Sequence, residues 1–286
     1  MSYIYNIEKD TVKAITKLNS FCMDNLKCGK TIEDKIPALT TFKLFSLKEN
    51  ANYYLYANPY SAKKWSNIIY NYFTIYQNNK KTYAITILNN KEWAFLLNKD
   101  IDEDFIKVKI EEIKKKVKLY CKEYKINGLF FIEFSVNVIK YRNNNTEIEV
   151  HSHIHGLTRQ GKTCRSMKSF KEKFSGVLGN MKPVQVSKAE NPKEWIDYCC
   201  NGFPYSGYKR MISKDEKWFN MYSEYIDLDN FTILMKALSK ITFSRLTFTV
   251  GNKPKQLLKE VKEKTLKTRK KGQQFLKHTY LPAIQN

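Results

Sequence analysis

Three of the chain's four histidines, His151, His153 and His155, stand at alternate positions just after Glu147 and Glu149. In an extended segment such alternation puts all five side chains on one face. Imidazole nitrogens that meet a carboxylate oxygen suit a hard-to-borderline divalent ion and leave coordination positions open for water or substrate. A lone His-x-His on a strand more often lies on a solvated sheet face and binds nothing. Here a second segment changes the reading, because it carries Glu133 at its polar centre. Glu133, His153 and His155 are therefore the candidate ligands of Mg, Mn or Zn. His151 is a spare that could join them, support them or do neither.

Two segments must position this set. Residues 129–141 and 146–158 both alternate with period two, as half-buried strands do. The even positions of the first are Phe130, Ile132, Phe134, Val136 and Val138, and those of the second include Ile148, Val150 and Ile154. The odd positions of the first hold Glu133, Ser135 and Asn137. Asn143-Asn144-Asn145 favours a turn and joins them as a hairpin. With Asn144 at its centre, Glu133 falls directly opposite His155 on the polar face.

Upstream, residues 83–88 read as a buried strand and residues 104–124 as an amphipathic helix. Downstream come a helix over about 169–178, a strand over 184–187 and a helix starting at Asn191-Pro192, with Asn as N-cap and Pro at the first helical position. The order β-α-β-β-α-β-α predicts an α+β fold, an antiparallel sheet of about five strands with helices on its apolar face and the metal site on the other. Residues 76–212 form the central domain. Residues 1–75 are an N-terminal extension with a helix over about 8–20; the aromatic-rich stretches 52–56 and 65–73 receive no element and no chemistry. Residues 213–286 form a C-terminal region: a helical pattern over 217–240, a strand or docking segment over 245–250, and a basic helix. That helix, over 253–278, carries ten Lys/Arg against Glu260 and Glu263 and reads as a duplex-DNA or nuclear-import patch or as a solvated face. His278 stands alone.

The chain has 286 residues, 42% of them hydrophobic, so it can bury a core and wholesale disorder is excluded. Its formal net charge of +22 exceeds what solubility needs and points to a polyanionic partner, nucleic acid ahead of an anionic membrane. The six cysteines, Cys22, Cys28, Cys121, Cys164, Cys199 and Cys200, form no Cys-x-x-Cys pair and read as free thiols in a reducing compartment. The N-terminus carries charges before any apolar run, and no uncharged apolar stretch approaches the roughly 18 residues of a membrane span. An intracellular, soluble protein without a membrane partner is expected.

The segment Val150-His-Ser-His-Ile-His-Gly-Leu157 resembles the His-hydrophobic-His motif of HUH endonucleases, the rolling-circle replication initiators (Rep) of circular single-stranded DNA viruses and plasmids. Ala84-Ile-Thr-Ile-Leu-Asn89 sits where that family has its first motif. Trp195-Ile-Asp-Tyr-Cys-Cys-Asn-Gly202 resembles the Tyr-x-x-Lys helix of the eukaryotic-virus members, with Asn201 in place of the usual Lys. Lys188, Lys193 or Lys209 could supply that cation.

The resemblance covers about residues 82–208 and implies an HUH/RRM-like fold. It implies Mg or Mn on Glu133, His153 and His155, and Tyr198 as nucleophile on single-stranded DNA, giving a 5′-phosphotyrosine linkage and a free 3′-OH. Tyr205 and Tyr208 are reserves for that role. Single-stranded DNA with an origin hairpin and the host replication machinery are the implied partners. The nucleus is the implied site of action if a eukaryotic virus is the source, and the cytoplasm otherwise. A transposase or relaxase of the same chemistry is the related alternative. A non-catalytic RRM-like nucleic-acid-binding protein is the unrelated one, favoured only if aromatics lined an exposed sheet face.

Gly156-Leu-Thr-Arg-Gln-Gly-Lys-Thr163 also matches the phosphate-cradling loop of NTPases. That loop should follow an apolar parallel strand, whereas this one follows a His- and Glu-rich strand of an expected antiparallel hairpin. Arg159, Lys162 and Arg165, with Lys193 and Lys209, are instead expected to contact the DNA backbone.

Overall fold

The computed structural model describes residues 51, 54–77, 81–88, 90–140, 146–174, 184–200, 202, 206–212, 218–226, 228–263 and 265. The helix expected over 8–20, the Asn143–Asn145 turn, Asn201, Tyr205, Cys22, Cys28, His278 and most of the basic run beyond 263 lie outside the described residues.

In chain order the elements are α1 (Pro59–Gln77), β1 (Tyr83–Leu88), α2 (Asn90–Trp93), β2 (Phe95–Leu96), α3 (Glu103–Glu123), β3 (Gly128–Lys140) and β4 (Thr146–Thr158). Then follow α4 (Arg165–Phe174), β5 (Val184–Lys188), α5 (Pro192–Cys199), β6 (Ser206–Ile212), β7 (Trp218–Tyr225), α6 (Leu228–Leu238), α7 (Phe243–Leu246) and β8 (Thr247–Val250). Residues 252–263 are helical. Asp102 caps α3 by accepting from Phe105 N at 2.8 Å. The helix buries Ile106, Ile110, Ile113, Val117 and Cys121, one side of a 3.6-residue repeat.

The fold is α+β with an open, mostly antiparallel sheet in the order β5-β1-β4-β3-β6-β7; β2 adds to β4 and β8 to β3. This is more than the five strands expected, because the flanking regions supply some. Residues 217–240 are not one helix: Trp218–Tyr225 is β7, antiparallel to β6, and the helix begins only at Leu228. The run Trp-Phe-Asn-Met-Tyr-Ser-Glu-Tyr is rich in aromatics, which fit a pleated surface, but has no clean period of two. A boundary after 212 would separate β6 from its partner, and β8 pairs with Gly128–Phe131 of β3. Trp65 and Ile69 of α1 lie in the same hydrophobic core as the sheet.

Along the central pair the register is continuous from Gly128 opposite Thr158 to Lys140 opposite Thr146. Glu133 is opposite His153, not His155, so opposed residues sum to 286 and not to the 288 expected. That change slides β4 by two residues past β3. Because the side-chain period is two, a slip of two leaves every residue on its expected face.

The even face is covered by α3, whose Lys118 lies over Phe248, itself stacked on Phe130 at 5.4 Å. The odd face, expected to carry the metal site, is covered as well. The Trp195 indole of α5 donates to Gly156 O at 2.7 Å, and α1 packs on α5. His151 and His155 are each only 3% exposed. No helix among the described residues is long and apolar enough to cross a membrane.

Candidate metal and tyrosine site

Glu133, His153 and His155 each present one ligand atom, and the three atoms lie within 4.8 Å of one another. Glu133 Oε2 is 2.7 Å from His155 Nε2. That nitrogen nonetheless makes no hydrogen bond and has no contact with solvent. A buried ring nitrogen left this way costs about 1–3 kcal/mol. Oxygen and nitrogen drawn together but out of line for a hydrogen bond are the arrangement a shared cation resolves, and the donor set suits a divalent ion. The cluster could therefore hold a metal ion.

Two features prepare the imidazoles. Thr86 of β1 stands opposite His155, and its Oγ1 lies 3.1 Å from His155 Nδ1. With Nδ1–H donated to that hydroxyl, the ring turns Nε2 toward Glu133. His153 is pushed down to about 4, first by burial and further by His155 and His151, with Glu133 opposing. At neutral pH it is the uncharged, ligating form. His151 stands apart: its Nε2 lies 2.5 Å from Glu149 Oε2 on the same strand, and it is not a member of the cluster.

Tyr198 comes to the cluster from α5. Its ring meets that of His155 edge to face, with centroids 5.1 Å apart at 80°. It is stacked on Trp195 at 5.1 Å, and Trp195 in turn lies 5.9 Å from His155. The Asn191 side chain starts α5 by accepting from the N–H groups of Lys193 and Glu194, and Pro192 occupies the first turn, as the sequence predicts. Asp197, one residue before Tyr198 and buried, accepts from Ser66 Oγ of α1 at 2.6 Å and pairs with Lys193 Nζ. The helix carrying the tyrosine is thus fixed on one side to α1 and on the other to β4.

The expected cations are dispersed. Lys193 is committed to Asp197 and lies over the Tyr70 ring. Lys188 pairs with Glu190 at 2.8 Å. Lys209 and Tyr208 lie on β6, their backbones beside Val138 and Asn137. Arg159, Lys162 and Arg165 are exposed between the end of β4 and the start of α4. The Gly-x-x-x-x-Gly-Lys-Thr match has no phosphate cradle at its start. Gly156 is inside β4, which is antiparallel to both β1 and β3. A Cβ there would meet Leu129 O at 2.6 Å, and one at Gly161 would meet the Tyr83 ring at 2.6 Å. Both glycines serve close packing.

Sequence reasoning missed Thr86, Ser66 and Tyr56. The β1–β4 pairing would have indicated Thr86, since it faces His155 once the two strands are aligned. Tyr56 gives no local signal. Its hydroxyl accepts from Phe134 N at 3.2 Å, in the stretch of the β3 edge between the part paired with β8 and the part paired with β6. Burial foremost, then the Glu133 charge, raises this phenol above the ordinary tyrosine value. Tyr56 thus serves as a structural partner of the Glu133 strand.

Among the described residues Cys121, Cys164, Cys199 and Cys200 are free thiols. Searches of the chain against protein-family models, curated proteins and solved structures found no match.

Proposed function

We propose that the protein is a metal-dependent, tyrosine-based single-strand DNA endonuclease and ligase of the HUH type, acting as a rolling-circle replication initiator. The observation that carries this reading is the Tyr198 ring 5.1 Å from that of His155, a member of the candidate ligand set.

Glu133, His153 and His155 would hold the ion, Mg or Mn. Bound there, it would draw charge from a phosphate oxygen and make the phosphorus a better electrophile. Trp195, stacked on Tyr198, and the edge of His155 hold the phenol in place, so that little freedom is lost on approach to the phosphate. The Tyr198 oxygen attacks phosphorus, the phenolic proton leaves to solvent, and a new O–P bond forms. The bond from phosphorus to the 3′ oxygen breaks, and that oxygen takes up a proton. The products are a 5′-phosphotyrosine and a free 3′-OH, and reversal joins ends. Exposed Arg159, Lys162 and Arg165 contact strand phosphates without reading sequence.

The test is a nicking assay on labelled single-stranded oligonucleotides bearing candidate origin or element-end hairpins, run with Mn²⁺, with EDTA, and with Mn²⁺ restored. Cleavage that disappears with EDTA and returns with Mn²⁺ supports the proposal; cleavage indifferent to EDTA refutes it. A preference for element ends over origins would assign the same chemistry to a transposase or relaxase.

A further inference from the structure

A cavity of about 420 Å³ opens at the end of the sheet away from the β3–β4 turn. Its floor includes Leu129 and Leu157, which face each other across β3 and β4. Both share the parity of Glu133, His153 and His155, so floor and ligand cluster lie on one sheet face, with Glu133 and His153 four residues from the floor and His155 two. At roughly 3.3–3.4 Å per residue that is about 7–13 Å. Phe73, from the last turns of α1, forms an aromatic wall. Arg159 and Lys253 are the cations at the lining, both exposed.

The glycines around the cavity are tied to its shape. Gly251 has φ +95°, and a Cβ there would lie 2.4 Å from Asn127 Oδ1; a Cβ on Gly128 would lie 2.5 Å from Leu157 O. Neither wall position admits a larger residue without moving its neighbour.

We infer that this cavity binds one nucleotide of the DNA strand, its base against Phe73 and the leucine floor and its phosphate on Arg159 and Lys253. An apolar cavity of this size with a few polar groups at its edge is the usual form of a small-ligand site. An aromatic wall beside cations is how single strands are gripped, the base stacked and the backbone neutralised. The inference rests on the single-stranded DNA reading above and adds to it a fixed point of attachment. About 7–13 Å corresponds to roughly two to four nucleotides at a stacked rise of 3.4 Å, and to fewer where the strand is stretched. The cavity would thus set which phosphate reaches Tyr198.

The experiment uses the full chain carrying Tyr198→Phe, in EDTA, so that neither metal nor chemistry enters. Fluorescence anisotropy measures binding of a single-stranded oligonucleotide and of a series with one abasic site at each successive position. The inference predicts one position at which loss of the base weakens binding about tenfold, in line with the worth of one base–aromatic stack. In Phe73→Leu the intact oligonucleotide should bind about as weakly as that abasic one, and the position dependence should vanish. In Lys253→Ala, a surface change that leaves the fold intact, affinity should fall by a similar factor at every position and the salt dependence should flatten. A flat abasic scan with tight binding overturns the inference, as does a position dependence that survives Phe73→Leu. Displacement of the oligonucleotide by free deoxynucleoside monophosphate at low concentration would overturn the strand-bound form in favour of a free nucleotide. Nicking with a flat abasic scan would sink only the cavity; a position-dependent scan without nicking would sink only the endonuclease.

Discussion

Glu133 Oε2 lies 2.7 Å from the Nε2 of His155, the residue diagonal to it across the hairpin, while His153 stands directly opposite. The acid is thus placed between two imidazoles of successive outward positions on β4. Replacing Glu133 by Gln keeps the shape and removes the charge. Mn²⁺ affinity, measured by calorimetry on the full chain, should fall by more than the roughly 10–100-fold that loss of an outer partner costs. Affinity unchanged within a factor of two would mean that Glu133 is not a ligand.

Thr86 tests the arrangement one step out. Thr86→Val preserves the branched β-strand side chain and deletes the oxygen 3.1 Å from His155 Nδ1. Mn²⁺ affinity should drop about 10–100-fold, with the melting temperature of the metal-free protein changed little. A variant that binds Mn²⁺ as well as the parent would show that Thr86 does not orient the ring.

Stability should depend on pH through His153. Its folded value of about 4 lies below the ordinary 6.5, so the unfolded chain takes up the proton first. This contribution is complete above pH 6.5 and is lost as pH falls toward 4, by at most about 3 kcal/mol. Urea unfolding of the metal-free protein at pH 7 and 4.5 reads it out, and His153→Gln should reduce the difference. Saturating Mn²⁺ should raise stability at pH 7 and make the decline steeper, because protons compete with the ion. A difference that His153→Gln leaves untouched would assign the acid sensitivity elsewhere.

Asp197 joins α5 to α1 through Ser66 and to its own helix through Lys193. Asp197→Ala leaves the buried Ser66 hydroxyl without this acceptor and should cost about 1–3 kcal/mol. Thermal unfolding measures it. Mn²⁺ affinity should be kept, because no ligand sits on α5, whereas DNA cleavage should fall as Tyr198 loses its fixed position. Loss of Mn²⁺ binding together with stability would mean that the cluster itself depends on the α1–α5 seam.

Much of the site is legible in the sequence because period two is a strong signal where one face is apolar. Residues 146–158 are a strand as their alternation predicts, residues 83–88 a strand as their apolar run predicts, and Glu133, His153 and His155 converge on one face. Three consecutive asparagines do not say which of them centres a turn, so the sequence leaves the register open by steps of two while fixing the faces. Asn191-Pro192 announces α5, and Asn58-Pro59 opens α1 in the same way, with the Asn58 side chain accepting from Ser61 N at 3.0 Å. There the signal was hidden: the buried positions Ala62, Trp65, Ser66 and Ile69 are spaced as a helix face, but tyrosines on every side blur the polar–apolar contrast. Residues 218–225 show the converse, a strand whose pairing to β6 overrides an ambiguous aromatic pattern. That α5 covers the histidine face, and that Tyr56 closes the β3 edge beside Glu133, depends on contacts between distant segments and leaves no local trace.

The most direct measurement is covalent capture. Wild-type protein and Tyr198→Phe, each shown to bind Mn²⁺ equally, are incubated with Mn²⁺ and a 3′-labelled single-stranded oligonucleotide, then denatured and resolved by mass. The proposal predicts a labelled protein–DNA adduct in the wild type, with the modified peptide containing Tyr198, and no adduct in the phenylalanine variant. An undiminished adduct in Tyr198→Phe would contradict it.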